Sequence, residues 1–354
     1  MKTKLNSLDA LRAAACIAIL SYHMYLSYLG YWGVVVFFVL SAFLMTYNSL
    51  DRPVFEKPSL TEGIRFSLKK TAKLYPLHLL TFAFPFFLQV FAILTGRMEA
   101  GSDFAAKAAA NVFLLQSLCP RESWYYSFNY SSWFLSSLGI IYLFFPLILR
   151  CIRKYRSNRS ACLAIALTFV CQPLLVRLLS GLVPMGDFSV WISHICPLIR
   201  LGDYIIGCNL AYLYVHRGEK TLSVGKATAL ELFAVLLTAA AVIAFRRSLL
   251  PDAIKNDTVY LPAAALFIWC FAGGEGFLSR TLNGRAARFI ARLSPFVFLL
   301  HTVVIQFVSI LLERIPIDYQ LKRLCFCLLV PSVTFALAEL YRRVAEKRKA
   351  RKTV

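Results

Sequence analysis

The sequence predicts an all-α fold, a polytopic membrane helix bundle of about ten transmembrane helices with both termini in the cytoplasm. Hydrophobic residues make up 59% of the 354 residues, charged residues make up 16%, and the mean hydropathy is +0.64. Soluble domains are about half apolar and about a quarter charged. We therefore expect most of this chain to be solvated by lipid.

Ten apolar stretches approach the length of about twenty residues that a transmembrane helix needs. They cover residues 10–29, 32–48, 76–95, 133–151, 161–180, 197–215, 226–245, 258–274, 292–312 and 321–341. A further apolar segment from Phe104 to Leu118 is shorter and carries Lys107 and Asn111. We expect this segment to lie at the membrane interface or to re-enter, and not to span.

The distribution of basic residues predicts the orientation. With the amino terminus inside, 27 of the 39 Lys and Arg residues fall in segments that face the cytoplasm. An odd number of helices would break this alternation. We interpret residues 1–345 as a single transmembrane domain and residues 346–354 as a basic cytoplasmic tail. Because the net charge of +21 comes mainly from these short segments, we expect no nucleic-acid partner.

The ten cysteines do not indicate a disulfide framework, because most of them fall within apolar stretches. We interpret them as packing thiols. Cys325 and Cys327 have neither the spacing nor the nearby histidines of a zinc site, so no metal is expected.

Ionisable residues inside apolar stretches mark candidate functional positions, since a charge at a helix centre costs about 2.5–3.5 kcal/mol even on a mild insertion scale. They are Arg12, His23, Arg200, Asp203, Glu231, His301 and Glu339. Arg12 and His23 are about three turns apart and share one helix face, with a rise of roughly 16 Å between them. Arg12 is placed to hold a phosphate, and His23 to act on a buried hydroxyl. The alternatives are a snorkelling arginine and a hydrogen-bonded packing histidine.

Three further positions have a structural and a functional interpretation. Lys70 and Lys73 are predicted on a short helix entering the third span, where they either bind a polyphosphate or anchor the cytoplasmic side. Trp133 begins a span at the outer interface, as a belt anchor or as a platform for a sugar. The small residues Ser41 and Ala42 allow close packing of another helix.

These segments together resemble the membrane-bound acyltransferase 3 family. Leu8-Asp9-Ala10-Leu11-Arg12 and the later His23 are similar to that family's L-D-x-L-R start and R-x10-H spacing. The other matching segments, in family order, are Phe37 to Leu44, Lys70 to Pro76, Trp133 to Pro146, Arg200 to Gly207 and Leu299 to His301. The chain resembles the branch without a fused extracellular domain.

The resemblance implies an O-acyltransferase of the bacterial cytoplasmic membrane. Its donor would be acyl-CoA, usually acetyl-CoA, bound from the cytoplasm, with no permanently bound cofactor. Its acceptor would be a hydroxyl of a sugar, a polysaccharide or a peptidoglycan precursor. The implied catalytic residues are His23 and Arg12, and the donor would contact Arg12, Lys70 and Lys73. Candidates for the acceptor side or for support of the site are Asp9, Trp133, Arg200, Asp203 and His301.

The chain departs from the family pattern at three places. Lys70 and Lys73 replace two arginines, which keeps the charge but loses the bidentate fork. Ala42 replaces a glycine. Leu138 and Gly139 stand where many members carry an acidic residue.

Two questions stay open at the level of sequence. A histidine base needs a partner for its second ring nitrogen, and Glu231 and Glu339 from other helices are the candidates. A protein that flips a lipid-linked sugar or exports a polysaccharide would also show many helices, ionisable midplane residues and a basic cytoplasmic face. Such transporters often contain an internal repeat, and none is visible here, which favours the enzyme.

Overall fold

The computed structural model describes residues 5–52, 54–55, 59–183, 186–218 and 221–351. These residues form helices and connecting segments, with no strand among them. The α-helices are α1 (Ser7–His23), α2 (Gly30–Ser49), α3 (Leu60–Thr71), α4 (Tyr75–Leu94), α5 (Phe104–Val112), α6 (Glu122–Tyr125), α7 (Trp133–Arg153), α8 (Asn158–Leu182), α9 (Gly186–Val190), α10 (Pro197–Val215), α11 (Val224–Arg246), α12 (Asp252–Lys255), α13 (Leu261–Gly273), α14 (Phe277–Thr281), α15 (Arg285–Glu313) and α16 (Tyr319–Arg351). Short 3-10 turns cover Gln116–Leu118, Tyr130–Ser132 and Thr258–Tyr260, and a π-helical turn covers Trp191–Ile195.

Seven helices of the described chain are long and apolar enough to cross a membrane. They are Gly30–Ser49, Tyr75–Leu94, Tyr130–Arg153, Asn158–Leu182, Val224–Arg246, Arg285–Glu313 and Tyr319–Arg348. The other three predicted spans fall on α1, α10 and α13, which are not among the seven. The all-helical membrane fold is therefore confirmed, while the count of ten and the cytoplasmic placement of both termini stay predictions.

The apolar helices divide into central and peripheral members. In the apolar stretch of α2, 72% of the residues are buried inside the protein, whereas the corresponding share is 11% in α8 and 17% in α16. The central helix α2 packs against α1, α10 and α13. Peripheral helices expose leucines such as Leu174 and Leu178, as expected of surfaces that face lipid.

Helices α2 and α10 approach each other closely in the centre of the bundle. A Cβ atom added at Gly207 of α10 would collide with the carbonyl oxygen of Val39 and would lie 2.7 Å from Cβ of Ala42. Only a glycine allows the two backbones to pack at this distance. The predicted close packing at Ala42 is confirmed, and Ser41 beside it lies 3.4 Å from the hydroxyl of Tyr142 on α7.

Replacing Gly207 by alanine is expected to destabilise the bundle by about 1–3 kcal/mol, since the added methyl group overpacks a backbone contact. The measurement is the midpoint of thermal unfolding in detergent. Gly225→Ala is the matched control, because a Cβ at Gly225 meets nothing within 4 Å and alanine is the better helix former. Equal midpoints for the two variants would contradict the packing role of Gly207.

Two segments at the edges of the bundle complete the fold. The apolar segment after α4 forms the short helix α5 and a 3-10 turn, and it is too short to span, as predicted. Residues 346–351 continue α16 without a break, and residues 352–354 lie outside the described residues. The division into a domain and a basic tail stays a prediction.

Candidate active site

Helix α1 carries the two residues that the spacing singled out. The helix is continuous from Ser7 to His23. Arg12 and His23 are eleven residues apart, which is about three turns, so they lie on the same face of the helix. Arg12 lines a cavity of about 310 Å³ whose other walls are mostly apolar side chains of α2, α7 and α15. Arg12, Ser41 and Tyr142 are among its few polar members. We call this space the Arg12 cavity.

His23 lines a second cavity at the other end of α1. This space measures about 340 Å³, and we call it the tyrosine cavity. Its other lining residues are Tyr22, Tyr25, Ser27, Tyr28, Tyr130 and Phe245. Aromatic faces with hydroxyl groups at their edges suit a ligand that has both apolar and hydroxyl surface.

The ring nitrogen Nδ1 of His23 has a definite partner, the hydroxyl of Tyr130 at 2.6 Å. Glu231 and Glu339, the partners considered from the sequence, lie elsewhere. Glu231 accepts hydrogen bonds from the backbone N–H groups of Leu278 and Ser279, and Glu339 pairs with two arginines of its own helix. Those two candidates were wrong.

Tyr130 is held in place by its chain neighbours. The amide of Asn129 donates to the hydroxyl of Thr81 and to the carbonyl of Leu299, both at 2.9 Å. The hydroxyl of Ser131 donates to the carbonyl of Phe298 at 2.9 Å. These buried hydrogen bonds fix the 3-10 turn Tyr130–Ser132 against α15, so the Tyr130 hydroxyl is presented to His23 in one position.

His301 of α15 is the second histidine at this place. Its ring centroid lies 5.0 Å from that of His23. Nδ1 of His301 lies 3.1 Å from the carbonyl of Val297, whereas its buried Nε2 has no hydrogen-bond partner among the described residues. The structure thus brings His301 to His23, and its free ring nitrogen is available to a ligand or water.

Lys70 and Lys73 do not line the Arg12 cavity. Lys70 lies near the end of α3 and Lys73 in the turn before α4, so the predicted short helix ends at Thr71. Leu74, next to Lys73, does line the cavity. Burial, followed by the charges of Lys73 and Lys69, lowers the pKa of Lys70. A bound anion would relieve this repulsion, so the cluster is suited to hold phosphate.

Arg200 and Asp203 belong to a buried ionic cluster and line neither cavity. Arg200 pairs with Asp203 one turn later and with Asp257, whose carboxylate lies 3.1 Å from the guanidinium. Asp257 also lies 2.6 Å from Nδ1 of His194, and Gln172 donates to Asp203 at 2.8 Å. The four ionisable residues are almost fully buried, so each depends on the others for its polar contacts.

Trp133 is part of the same region. It is buried, and its ring lies 4.5 Å from that of His194 in an edge-to-face contact. A buried position does not fit an exposed belt anchor, and Trp133 does not line the tyrosine cavity. Its place supports the ionic cluster through His194. Asp9 lies in the first turn of α1, one turn before Arg12, and does not line the Arg12 cavity.

Sequence reasoning missed Tyr130, His194 and Asp257. Tyr130 lies three residues before Trp133, in a polar run with Asn129, Ser131 and Ser132 that precedes an apolar stretch. His194 and Asp257 each lie within three residues of the start of a predicted span, and both spans are predicted to start at the outer face. Their common position at the outer ends of two predicted spans was the sequence signal that His194 and Asp257 could lie close together.

The chain is similar to known acyltransferases over most of its length. The acyltransferase 3 family model, described as an acyltransferase domain, matches residues 5–339. The chain is 26% identical over 334 residues to acyltransferase MdmB of Streptomyces mycarofaciens, a match that covers 86% of this chain and 80% of MdmB. It is 25% identical over 325 residues to YrhL of Bacillus subtilis (strain 168), which is provisionally named a peptidoglycan O-acetyltransferase.

The match to YrhL covers 84% of this chain and 48% of YrhL, so the chain spans about half the length of that relative. No solved structure matches this chain. The family model extends over nearly all of the described helices, including those that carry Arg12, His23 and His301. The chain therefore belongs to the acyltransferase 3 family and is a multi-pass membrane acyltransferase.

Proposed function

We propose that this protein transfers an acetyl group from acetyl-CoA on the cytoplasmic side of a bacterial inner membrane to a hydroxyl of a sugar or a cell-surface polysaccharide precursor. The observation that carries the proposal is the position of His23. Its ring contacts His301, which borders the space towards Arg12, and it also lines the tyrosine cavity. A donor and an acceptor that entered from opposite ends of α1 would meet there.

The donor side is assigned to Arg12, Lys70 and Lys73. Arg12 lines the cavity and Lys73 precedes its lining residue Leu74. Cations suit the phosphate groups of coenzyme A, and a guanidinium can bind phosphate in a bidentate manner. Arg12 and His23 are separated by roughly 16 Å along α1. The extended pantetheine arm has a comparable length, so a nucleotide held at Arg12 would present its thioester near His23.

The acceptor side is assigned to the tyrosine cavity. The apolar face of a sugar ring packs on aromatic side chains, and its hydroxyl groups pair with tyrosine hydroxyls. The provisional name of YrhL, a peptidoglycan O-acetyltransferase, assigns a glycan acceptor to that relative, and we extend this class of acceptor to the present chain.

The role of His23 follows from its hydrogen bond. When Nδ1 carries the proton and donates it to the Tyr130 oxygen, Nε2 is left with its lone pair. Nε2 then removes the proton of the acceptor hydroxyl while the oxygen attacks the thioester carbonyl, and the proton finally reaches the departing CoA thiolate. In a two-step route, Nε2 attacks the thioester carbonyl and expels the CoA thiolate. The acceptor hydroxyl then attacks the acyl-imidazole, which releases Nε2, and the hydroxyl proton passes to the thiolate.

The proposal is tested by supplying acetyl-CoA labelled in the acetyl group to membranes that contain the full chain, beside membranes that lack it. We expect release of CoA and appearance of label in the carbohydrate fraction only when the chain is present. If no acetyl-CoA is consumed while export of a surface glycan still depends on the chain, the protein is an exporter and the proposal fails.

Changing Lys70 and Lys73 together to glutamine is expected to raise KM for acetyl-CoA by about tenfold or more, with a much smaller effect on kcat. Hydrogen bonds to charged groups contribute about 1.5–3 kcal/mol, and phosphate contacts remote from the thioester bind the ground and transition states alike. Lys154→Gln, an exposed lysine on another segment predicted to be cytoplasmic, is the control. A lowered kcat with unchanged KM would contradict the donor-binding role.

The lowered pKa of Lys70 gives this contact a pH dependence. Phosphate binds the protonated amine, so donor affinity weakens as the pH rises through the Lys70 pKa. We expect KM for acetyl-CoA to begin rising at a pH below the pKa of an ordinary lysine. The rise should disappear in Lys70→Arg, since arginine stays charged. A KM rise that persists unchanged in Lys70→Arg would assign it to another group.

A further inference from the structure

A cation lies at the rim of the tyrosine cavity. The guanidinium of Arg246 lies over the ring of Tyr28, 4.7 Å from the ring centroid, and Tyr28 lines the cavity. Phe245, the residue before Arg246, lines the cavity as well. The last turn of α11 therefore brings a positive charge to the space that is assigned to the acceptor.

The charge of Arg246 is available to a ligand. Its side chain is exposed, and among the described residues no carboxylate forms an ion pair with it. In the orientation predicted from the sequence, α11 ends at the outer face, where short loops carry few Lys and Arg residues. Membrane orientation therefore does not account for an arginine at this place.

The tyrosine cavity itself offers nothing that would repel an anion. None of the described residues that line it is Asp or Glu. Asp257 acts electrostatically on Tyr22 of the cavity wall, but its carboxylate is buried and is paired with Arg200 and His194. Tyrosine hydroxyls can donate hydrogen bonds to anionic oxygens. A cavity with such donors and a cation at its rim is complementary to a negatively charged ligand.

We propose that the acceptor carries an acidic group, a carboxylate or a phosphate, which Arg246 binds at the rim while a hydroxyl of the same molecule lies at His23. The inference rests on the proposed function, because it presupposes acyl transfer at His23 to a glycan in the tyrosine cavity. A guanidinium binds carboxylate and phosphate alike through paired N–H groups. The substrate class is therefore an anionic glycan, such as one that contains a uronic acid or a sugar phosphate.

The experiment supplies saturating acetyl-CoA, labelled in the acetyl group, to membranes that contain the full chain, and separates the labelled carbohydrate by anion exchange at neutral pH. An acetyl ester carries no charge, so retention on the column reports the charge of the acceptor itself. We expect the labelled carbohydrate to be retained. Phosphorus in the purified retained fraction then identifies a phosphate, and its absence identifies a carboxylate.

Arg246→Gln is expected to lower the initial rate of labelling by about five- to tenfold, the effect of losing one charged contact at an exposed site. Arg246→Glu should lose more because it repels the anion, whereas loss of packing on Tyr28 alone would make the two variants alike. Arg247→Gln is the matched control, since Arg247 is the exposed C-cap residue of the same helix and does not line the cavity.

Salt gives a second measurement that does not depend on a variant. Raising the salt concentration from about 0.01 M to about 0.1 M shortens the screening length from about 30 Å to about 10 Å. With acetyl-CoA still saturating, this change should slow wild type, and it should slow Arg246→Gln less.

A retained product, together with a slower Arg246→Gln and an unchanged Arg247→Gln, supports the inference. The charge of the product and the salt dependence of wild type decide the test if the Arg246 variants do not insert at wild-type abundance. A labelled carbohydrate that passes through the column overturns the inference while the proposed function stands, and so does a retained product that Arg246→Gln makes at the wild-type rate. If wild type labels no carbohydrate, the proposed function itself fails and the inference fails with it.

Discussion

Replacing His23 by alanine is expected to lower kcat for acyl transfer by about 10²–10⁴-fold, the usual contribution of a positioned general base. The variant loses the ring that lies between the two cavities, and no neighbouring side chain replaces it. His301 is close, but it does not line the tyrosine cavity, to which the acceptor is assigned. The fold should persist, because His23 is the last residue of α1 and is only partly buried.

The measurement is labelled-acetyl transfer at equal protein abundance. His216→Ala is the matched control, since His216 stacks on Tyr212 at the far end of α10 and lines neither cavity. Tyr130→Phe is expected to cost less than His23→Ala, because it removes the hydrogen bond to Nδ1 and leaves the imidazole in place. Activity of His23→Ala close to wild type would reduce His23 to a packing residue.

Removal of the Asp257 side chain is expected to give the largest loss of stability. Asp257→Ala leaves the buried Arg200 with a single carboxylate and His194 without its partner. Deleting one member of a buried ion pair typically costs about 3–5 kcal/mol, since the remaining charge stays out of water without compensation. Much of the variant should therefore unfold or fail to accumulate in membranes.

The measurement is the unfolding midpoint in detergent, together with membrane abundance. Glu99→Ala is the control, because Glu99 is an acidic residue on an exposed connection. Asp257→Asn is expected to lie between the control and Asp257→Ala, since the amide oxygen still accepts a hydrogen bond but carries no charge. If Asp257→Ala unfolds at the same temperature as wild type, the buried ionic cluster does not stabilise the fold as its burial indicates.

Only part of the candidate site could be predicted from local sequence. Arg12 and His23 could be placed on one face because both belong to one helix, whose geometry is independent of the rest of the chain. Helix geometry could not identify the partner of His23, because that partner lies on another segment of the chain. The acidic candidates Glu231 and Glu339 were wrong. Lone carboxylates in apolar stretches carry no information about which helix they face, and Glu231 turned out to bind the start of α14.

The sequence by itself determined the membrane class, the helical fold and the common face of Arg12 and His23, because hydropathy and helix periodicity act over a few consecutive turns. Only the tertiary structure decided that Tyr130 contacts Nδ1 of His23, 107 residues away in sequence. The same holds for His194 and Asp257, which are 63 residues apart in sequence. Such contacts depend on how helices pack against each other, and packing follows from the shapes of all neighbouring side chains together.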